Sequence, residues 1–312
     1  MSNNPKLLII GGFGFLGSNL LDRFLSSNKY EIIVFEFNNV APKQPTHFNR
    51  VKVYYGDFNN PKDLEQIFSE HKIEIVLHLI TTTVPATSNA NIPYDIQSNL
   101  VDTIHLLEMM RQYHVGKIVF LSSGGTIYGL PVKAPTKETD PTDPICSYGI
   151  TKLAIEKYLQ LFHHLYGLDY LILRPSNPFG PYHTSTKQGL INVMLRKIIA
   201  KEPITIWGDG NIVRDYLYVG DFSESVFQLI DSGVSGEIVN VGSGFGHSVK
   251  DILAIMGNHF SGLDVIYLPS RGFDIQKLVL DTQKMNRLCQ IHYTGLEEGI
   301  LKTYAWMKRQ MS

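Results

Sequence analysis

The sequence predicts an α/β protein: a doubly wound parallel sheet with a smaller C-terminal α/β unit. Three observations predict it. Short apolar runs alternate with helical patterns through the first half, the first run ends in a glycine-rich turn, and the texture changes after Arg174. Lys6 to Ile10 is an apolar run closed by Gly11, and Leu16, Leu20, Leu21, Phe24 and Leu25 follow at helical spacing. Glu31 to Glu36, Val51 to Tyr55, Ile73 to Leu79 and Lys117 to Leu121 read as further buried strands. Helices are expected over Lys62 to Glu70, Asp95 to Tyr113 and Tyr148 to Tyr166, and a strand over Tyr170 to Leu173. Pro175, Pro178, Gly180 and Pro181 then mark a loop, which places a domain boundary between residues 174 and 175. Residues 1–174 are expected to form one unit and 175–312 the other. Within the second unit, a segment near 213–244 containing GEIVNVGSG has the pattern of a strand returning to the first sheet.

Composition narrows the function classes. With 28 basic and 29 acidic residues among 312, no net field recommends nucleic acid or an anionic membrane as partner. Cys146 and Cys289 form neither a close pair nor part of a Cys/His cluster, so neither a disulfide framework nor a metal site is expected. The N-terminal apolar run meets glycines before it reaches signal-peptide length, and no run of about 18 apolar residues follows. A cytoplasmic protein without membrane insertion is expected.

Gly12-Phe13-Gly14-Phe15-Leu16-Gly17, with Gly11 in front, fits G-x-G-x-x-G between a predicted strand and a predicted helix. Glycines there let the backbone turn tightly and approach a pyrophosphate, whose charge rests on the free N–H groups of the helix. Glu36 ends the next strand, where a carboxylate accepts both ribose hydroxyls and repels a 2′-phosphate; this favours NAD over NADP. Asp57, in YYGDF, suits the adenine amino group or a turn equally well. Tyr148 and Lys152 stand four apart at a helix start, so both project from one face. A neighbouring ammonium favours the phenolate, which makes this pair a proton acceptor beside a hydride acceptor.

With these residues in view, the chain resembles an extended short-chain dehydrogenase/reductase, and within that group the UDP-glucose 4-epimerase type. The likeness runs nearly end to end, through GGFGFLG, YGDF, the Asn99 helix, SSGGTIYG, SYGITK, LRPSNPFGP, VRDYLYV and SRGFD. It implies a Rossmann-like NAD-binding domain and a nucleotide-sugar-binding domain. It assigns Gly11, Gly14, Phe15, Leu16, Gly17, Glu36, Asp57, Phe58, Asn99, Tyr148 and Lys152 to the cofactor. Asn177, Arg214 and Arg271 fall to the substrate diphosphate and Asp274 to the uridine ribose, although each arginine also suits a surface ion pair. Trp207 falls where the family presents a side chain near the uracil, or else packs in a core, while Arg174 is read as structural. Leu278 falls at the position that gates N-acetyl groups.

The departure lies in SSGGTIYG, where Gly124 stands in place of the family's Ser or Thr. Thr126 is the first substitute hydroxyl and Ser123 the second, unless both merely cap the turn. The same segment supplies no acid of the kind that related dehydratases and decarboxylases place there. A 4-keto sugar would therefore rotate and be reduced on its other face, a redox-neutral 4-epimerisation. UDP-uronate and UDP-N-acetylhexosamine epimerases and a 4-reductase stay open, with Lys187 or His183 available to a uronate carboxylate. A non-catalytic NAD-binding sensor is disfavoured by the retained Tyr/Lys pair. The resemblance also implies a homodimer packed through the Asp95 to Tyr113 and Tyr148 to Tyr166 helices, whose apolar faces could equally cover the sheet.

Overall fold

The computed structural model describes residues 4–130, 133–270 and 275–311. Along the chain run β1 (Lys6–Ile10), β2 (Glu31–Phe37), β3 (Lys52–Gly56), β4 (Ile75–His78), β5 (Lys117–Leu121) and β6 (Asp169–Pro175). They are followed by β7 (Asn177–Phe179), β8 (Ile204–Trp207), β9 (Val213–Tyr218) and β10 (Glu237–Val241), then β11 (Gly246–Ser248), β12 (Val265–Leu268) and β13 (Lys277–Leu278). Seven of these make one sheet in the order β10-β6-β5-β4-β1-β2-β3, every pair parallel.

The strands are apolar on both faces because both are covered, as a parallel sheet requires. Leu7 and Ile9 of β1 point into a core with Phe24 and with Phe222 and Val226 of the Val219–Asp231 helix. Leu8 and Ile10 point the other way, into a core with Leu64, Leu106 and Ile155 from the three helices on that side. The chain order reverses between β1 and β4, so the loops leaving these two strands open the crevice where ligands bind in such sheets.

After β6 the chain leaves this sheet. β7 pairs with β9, β9 with β11 and β13, and β8 with β12, over a third core that includes Phe179, Leu195, Ile206, Ile252 and Ile300. It returns through the Val219–Asp231 helix, and β10 then pairs with β6 from Glu237 opposite Leu171 to Val241 opposite Pro175. The long helix expected from Asp95 is composite. It starts at Ile92, where the Asn91 side chain accepts from the Tyr94 N–H, passes through a wider π turn at Ile96–Val101, and continues as Asp102–Gln112.

Candidate functional site

A cleft of about 600 Å³ lies beyond the carboxyl ends of the main strands, within the range of small-molecule sites. One wall holds Phe15, Leu16, Ser123, Tyr148 and Lys152; the other holds Asn177, His183, Trp207 and Arg214.

The glycine turn fits a pyrophosphate. Gly11 has φ +87°, a conformation other residues rarely take. At Gly17 a Cβ would sit 2.4 Å from the Gly11 carbonyl oxygen, so only glycine lets the helix start this close to β1. Gly14 is the N-cap and offers no side-chain cap, which leaves the first N–H groups of Phe15–Ser27 pointing out of the helix. Glu36 is buried at the end of β2 and accepts from the Phe13 N–H at 2.8 Å and the Phe37 N–H at 3.0 Å. Burial raises its carboxyl above the ordinary value, and those two amides oppose the rise. Asp57 closes a turn, accepting from the Asn59 N–H at 3.0 Å, while Phe58 is buried against His78.

Asn99 is bound to the loop after β4. Its side chain accepts from the Thr82 N–H at 3.0 Å and donates to Thr82 Oγ1 at 2.8 Å and to the Asp95 carbonyl at 3.1 Å. Buried and saturated in this way, it holds the loop after β4, whose Thr81 lines the cleft.

Tyr148 and Lys152 project from the first turns of the Ser147–Tyr166 helix. The Lys152 ammonium donates to the Leu121 carbonyl at 2.8 Å and lies 4.6 Å from the Phe120 ring centre and 5.7 Å from that of Tyr148. Burial pulls Lys152 down to about 7, against the upward pull of Asp95 and Glu156. Burial also pushes the Tyr148 phenol up to about 12, and the nearby Ser123 hydroxyl pulls it back.

The cleft lining reverses the expected order of the two hydroxyls. Thr126 Oγ1 is buried without a hydrogen-bond partner, the residue backs onto Gly149, and it is outside the cleft wall, whereas Ser123 is in it. The reason lies at Gly124, whose N–H donates to the Pro175 carbonyl at 2.8 Å. A Cβ on Gly124 would lie 2.7 Å from Leu280 and 2.9 Å from the Arg174 carbonyl oxygen. The segment is pressed against β6 there, and the side chain before it faces the cleft.

On the far wall, Asn177 donates to the Asp215 carbonyl at 2.9 Å, and Arg214 donates from Nη1 to the Val213 carbonyl at 2.9 Å. Trp207 belongs to this wall and is 42% exposed, so it is no core residue. Leu278, by contrast, is buried in β13 opposite Arg214 and is not in the wall. His183 packs edge-on against Phe15 at 4.6 Å, while Lys187 is exposed and outside the wall. Arg271 and Asp274 lie outside the described residues. Arg174 is buried, with its guanidinium on Glu156 at 2.6 and 3.1 Å and on the Tyr128 hydroxyl at 2.9 Å. Among the described residues no group of His, Cys, Asp and Glu could hold a metal ion, and no helix is long and apolar enough to cross a membrane.

Two buried acids escaped the sequence reading. Asp95 sits beneath the Tyr148 helix, and Asp215 gathers the Ser243 and Gly244 N–H groups at 2.9 and 3.1 Å. Asp95 stands one helical turn before Asn99, a spacing that could have flagged it; Asp215 has no such signal.

Comparison with known proteins agrees with this geometry. The UDP-glucose 4-epimerase of Halalkalibacterium halodurans is 30% identical over 325 aligned residues, covering 97% of this chain and 95% of its own. A dTDP-4-dehydro-6-deoxyglucose reductase of Escherichia coli is 32% identical over 79% of each chain. The UDP-glucose 4-epimerase of Thermotoga maritima, solved with UDP-glucose, superposes with a TM-score of 0.90 at 31% identity, over 98% of this chain and 100% of that one. Residues 7–242 match the model of the NAD dependent epimerase/dehydratase family, and the chain belongs to that family.

Proposed function

We propose that the protein is an NAD-dependent 4-epimerase of a UDP-hexose, of the UDP-glucose/UDP-galactose type, acting through a transient 4-keto sugar. The observation that carries this reading is the makeup of the cleft. Ser123, Tyr148 and Lys152 stand on one wall and Asn177 and Arg214 on the other, and the described wall residues include no carboxylate. Such a site can take a proton from a sugar hydroxyl and grip a diphosphate, but its described wall residues offer no acid with which to expel the C6 hydroxyl.

NAD fits the glycine turn, the uncapped helix start and the buried Glu36. Bound there, it would supply a hydride acceptor for sugar C4 and the hydride for the return step. Tyr148 Oη accepts the proton of the O4 hydroxyl, and Ser123 hydrogen-bonds the same oxygen. The Lys152 ammonium favours the phenolate, and Tyr148 gives the proton back after the 4-keto sugar has turned its other face. Arg214 and Asn177 hold the diphosphate, with Arg271 joining them and Asp274 on the uridine ribose, while the sugar rotates between the walls. Residues 1–174 serve as the NAD-binding domain and 175–312 as the nucleotide-sugar domain, with β10 returning to the first sheet. The enzyme acts in the cytoplasm as a homodimer. Supporting the dimer, Ile150, Tyr158, Leu161 and Leu165 form an exposed apolar stripe at helical spacing beside exposed Ile92 and Ile96.

The test is incubation of purified protein with UDP-glucose, UDP-N-acetylglucosamine and UDP-glucuronate separately, resolving C4 epimers while following NADH absorbance. Conversion of UDP-glucose to UDP-galactose without net NADH is expected. No epimer from any of the three, with NAD added, would refute the reading. The Escherichia coli relative favours a 4-reductase as the second reading; it requires stoichiometric NADH oxidation with a 4-keto nucleotide-sugar and no epimer pair.

A further inference from the structure

Asp95 is wholly buried, yet it touches four side chains from three segments. Its Oδ1 accepts from the Thr83 hydroxyl in the loop after β4 and from Asn99 Nδ2 at 3.1 Å, one turn on in its own helix. Its Oδ2 accepts from the Ser147 hydroxyl at 2.6 Å and the Thr151 hydroxyl at 2.9 Å. Ser147 precedes Tyr148 and Thr151 precedes Lys152, so this carboxylate grips the helix on the backbone neighbours of both. Four donors satisfy its oxygens, which is what lets an acid remain buried. A purely apolar packing of the two helices would need no such group.

We propose that Asp95 is the positioning residue of this site: it fixes the first turn of the Ser147–Tyr166 helix through Ser147 and Thr151, and it lays a buried carboxylate beneath the turn that carries Tyr148 and Lys152. The proposal rests on the functional reading above only where turnover is concerned. The charged and titratable groups facing the pair from its surroundings do not replace Asp95. His78 on β4 is pushed down to about 3 by burial and is neutral. Glu156, on the same helix, is held by Arg174 of β6 at 2.6 Å. Cys146, in the preceding loop, acts on Tyr148 by raising its pKa, as Asp95 also does.

Asp95→Asn keeps the shape and removes the charge, and the Ser147 and Thr151 hydroxyls can turn to accept from the new amide. Because the carboxylate raises the pKa of Lys152, its removal should bring the ammonium's loss to lower pH. The alkaline limb of kcat is expected to move down by about 1 pH unit, the low end for the loss of a neighbouring opposite charge. The same shift is expected in the pH midpoint of carbamoylation of Lys152 by cyanate, measured by mass spectrometry on the full chain with and without NAD. This second measurement needs no turnover. A lowered midpoint in a protein without epimerase activity would uphold Asp95 and refute the functional reading, while an unmoved midpoint in a folded variant overturns the proposal. Should Asp95→Asn not fold, Thr151→Val keeps the charge and removes one tether. A kcat loss of about tenfold at an unmoved Lys152 midpoint is then expected, and wild-type kcat overturns the positioning role.

Discussion

At the scale of single residues, the site turns on which hydroxyl meets Tyr148. Ser123 lies in the wall with the phenol, while Thr126 Oγ1 is sealed away. Ser123→Ala is therefore expected to lower kcat by about 10²-fold, the lower range for loss of a proton-transfer group. Thr126→Val should stay within about threefold of wild type, with both read as the rate of C4 inversion. Lys152 sets a second expectation. Its pKa of about 7 in the folded chain lies well below the ordinary lysine value of about 10.4. Between those two pH values the unfolded chain binds more protons at this residue, so its contribution to stability grows as pH rises through that window and is lost as pH falls through 7. Lys152→Met should flatten the rise, measured by urea midpoints at about pH 6.5 and 9.5.

At the scale of elements, the Ser147–Tyr166 helix is anchored to the sheet by charge as well as by apolar packing. Glu156, one turn beyond Lys152, meets Arg174 of β6 in a buried pair that also takes in Ser122 and Tyr128, and Tyr128 in turn donates to Asn240 of β10 at 2.6 Å. This chain of contacts ties β6, β10 and the segment just after β5 to the helix that carries the candidate base. Arg174→Met would leave the Glu156 carboxylate buried without its partner and is expected to cost about 3–5 kcal/mol. Adding Glu156→Leu should recover a large part of that loss, because the buried charge goes with it. Urea denaturation of the single and double variants checks both, and equal destabilisation of the two would contradict the pair's role.

At the scale of the whole molecule, the chain after residue 174 is threaded back through the main sheet. β10 and the Val219–Asp231 helix complete the main sheet and its cover, so truncation after residue 174 would expose β6 and the apolar face now under Phe222 and Val226. The exposed stripe on the Ser147–Tyr166 helix continues this logic outward. Its buried face, with Ile155, Leu159 and Phe162, covers the sheet, and the opposite face leaves Leu161 at 43% and Leu165 at 54% exposure. Leu161→Glu is expected to convert a dimer to a 35.2 kDa monomer in light scattering. Wild-type protein that already runs at that mass would count against the dimer.

The sequence by itself determined the sheet, because parallel strands buried on both faces are continuous apolar runs and need no distant partner to be recognised. It determined the glycine turn, Glu36 and the Tyr148–Lys152 pair in the same way, since each depends on spacing within one strand or helix. Helix starts and strand ends differed by a few residues, as at Ile92, where a cap and a π turn lengthen the expected helix. What only the tertiary structure decided were relations across the chain. Gly124 presses on β6, which turns Ser123 rather than Thr126 into the cleft, and Leu278 is drawn under β9 away from it. Asp95 reaches Ser147 and Thr151 from more than fifty residues away. Such contacts are set by how packed layers meet, and local pattern holds no record of that meeting.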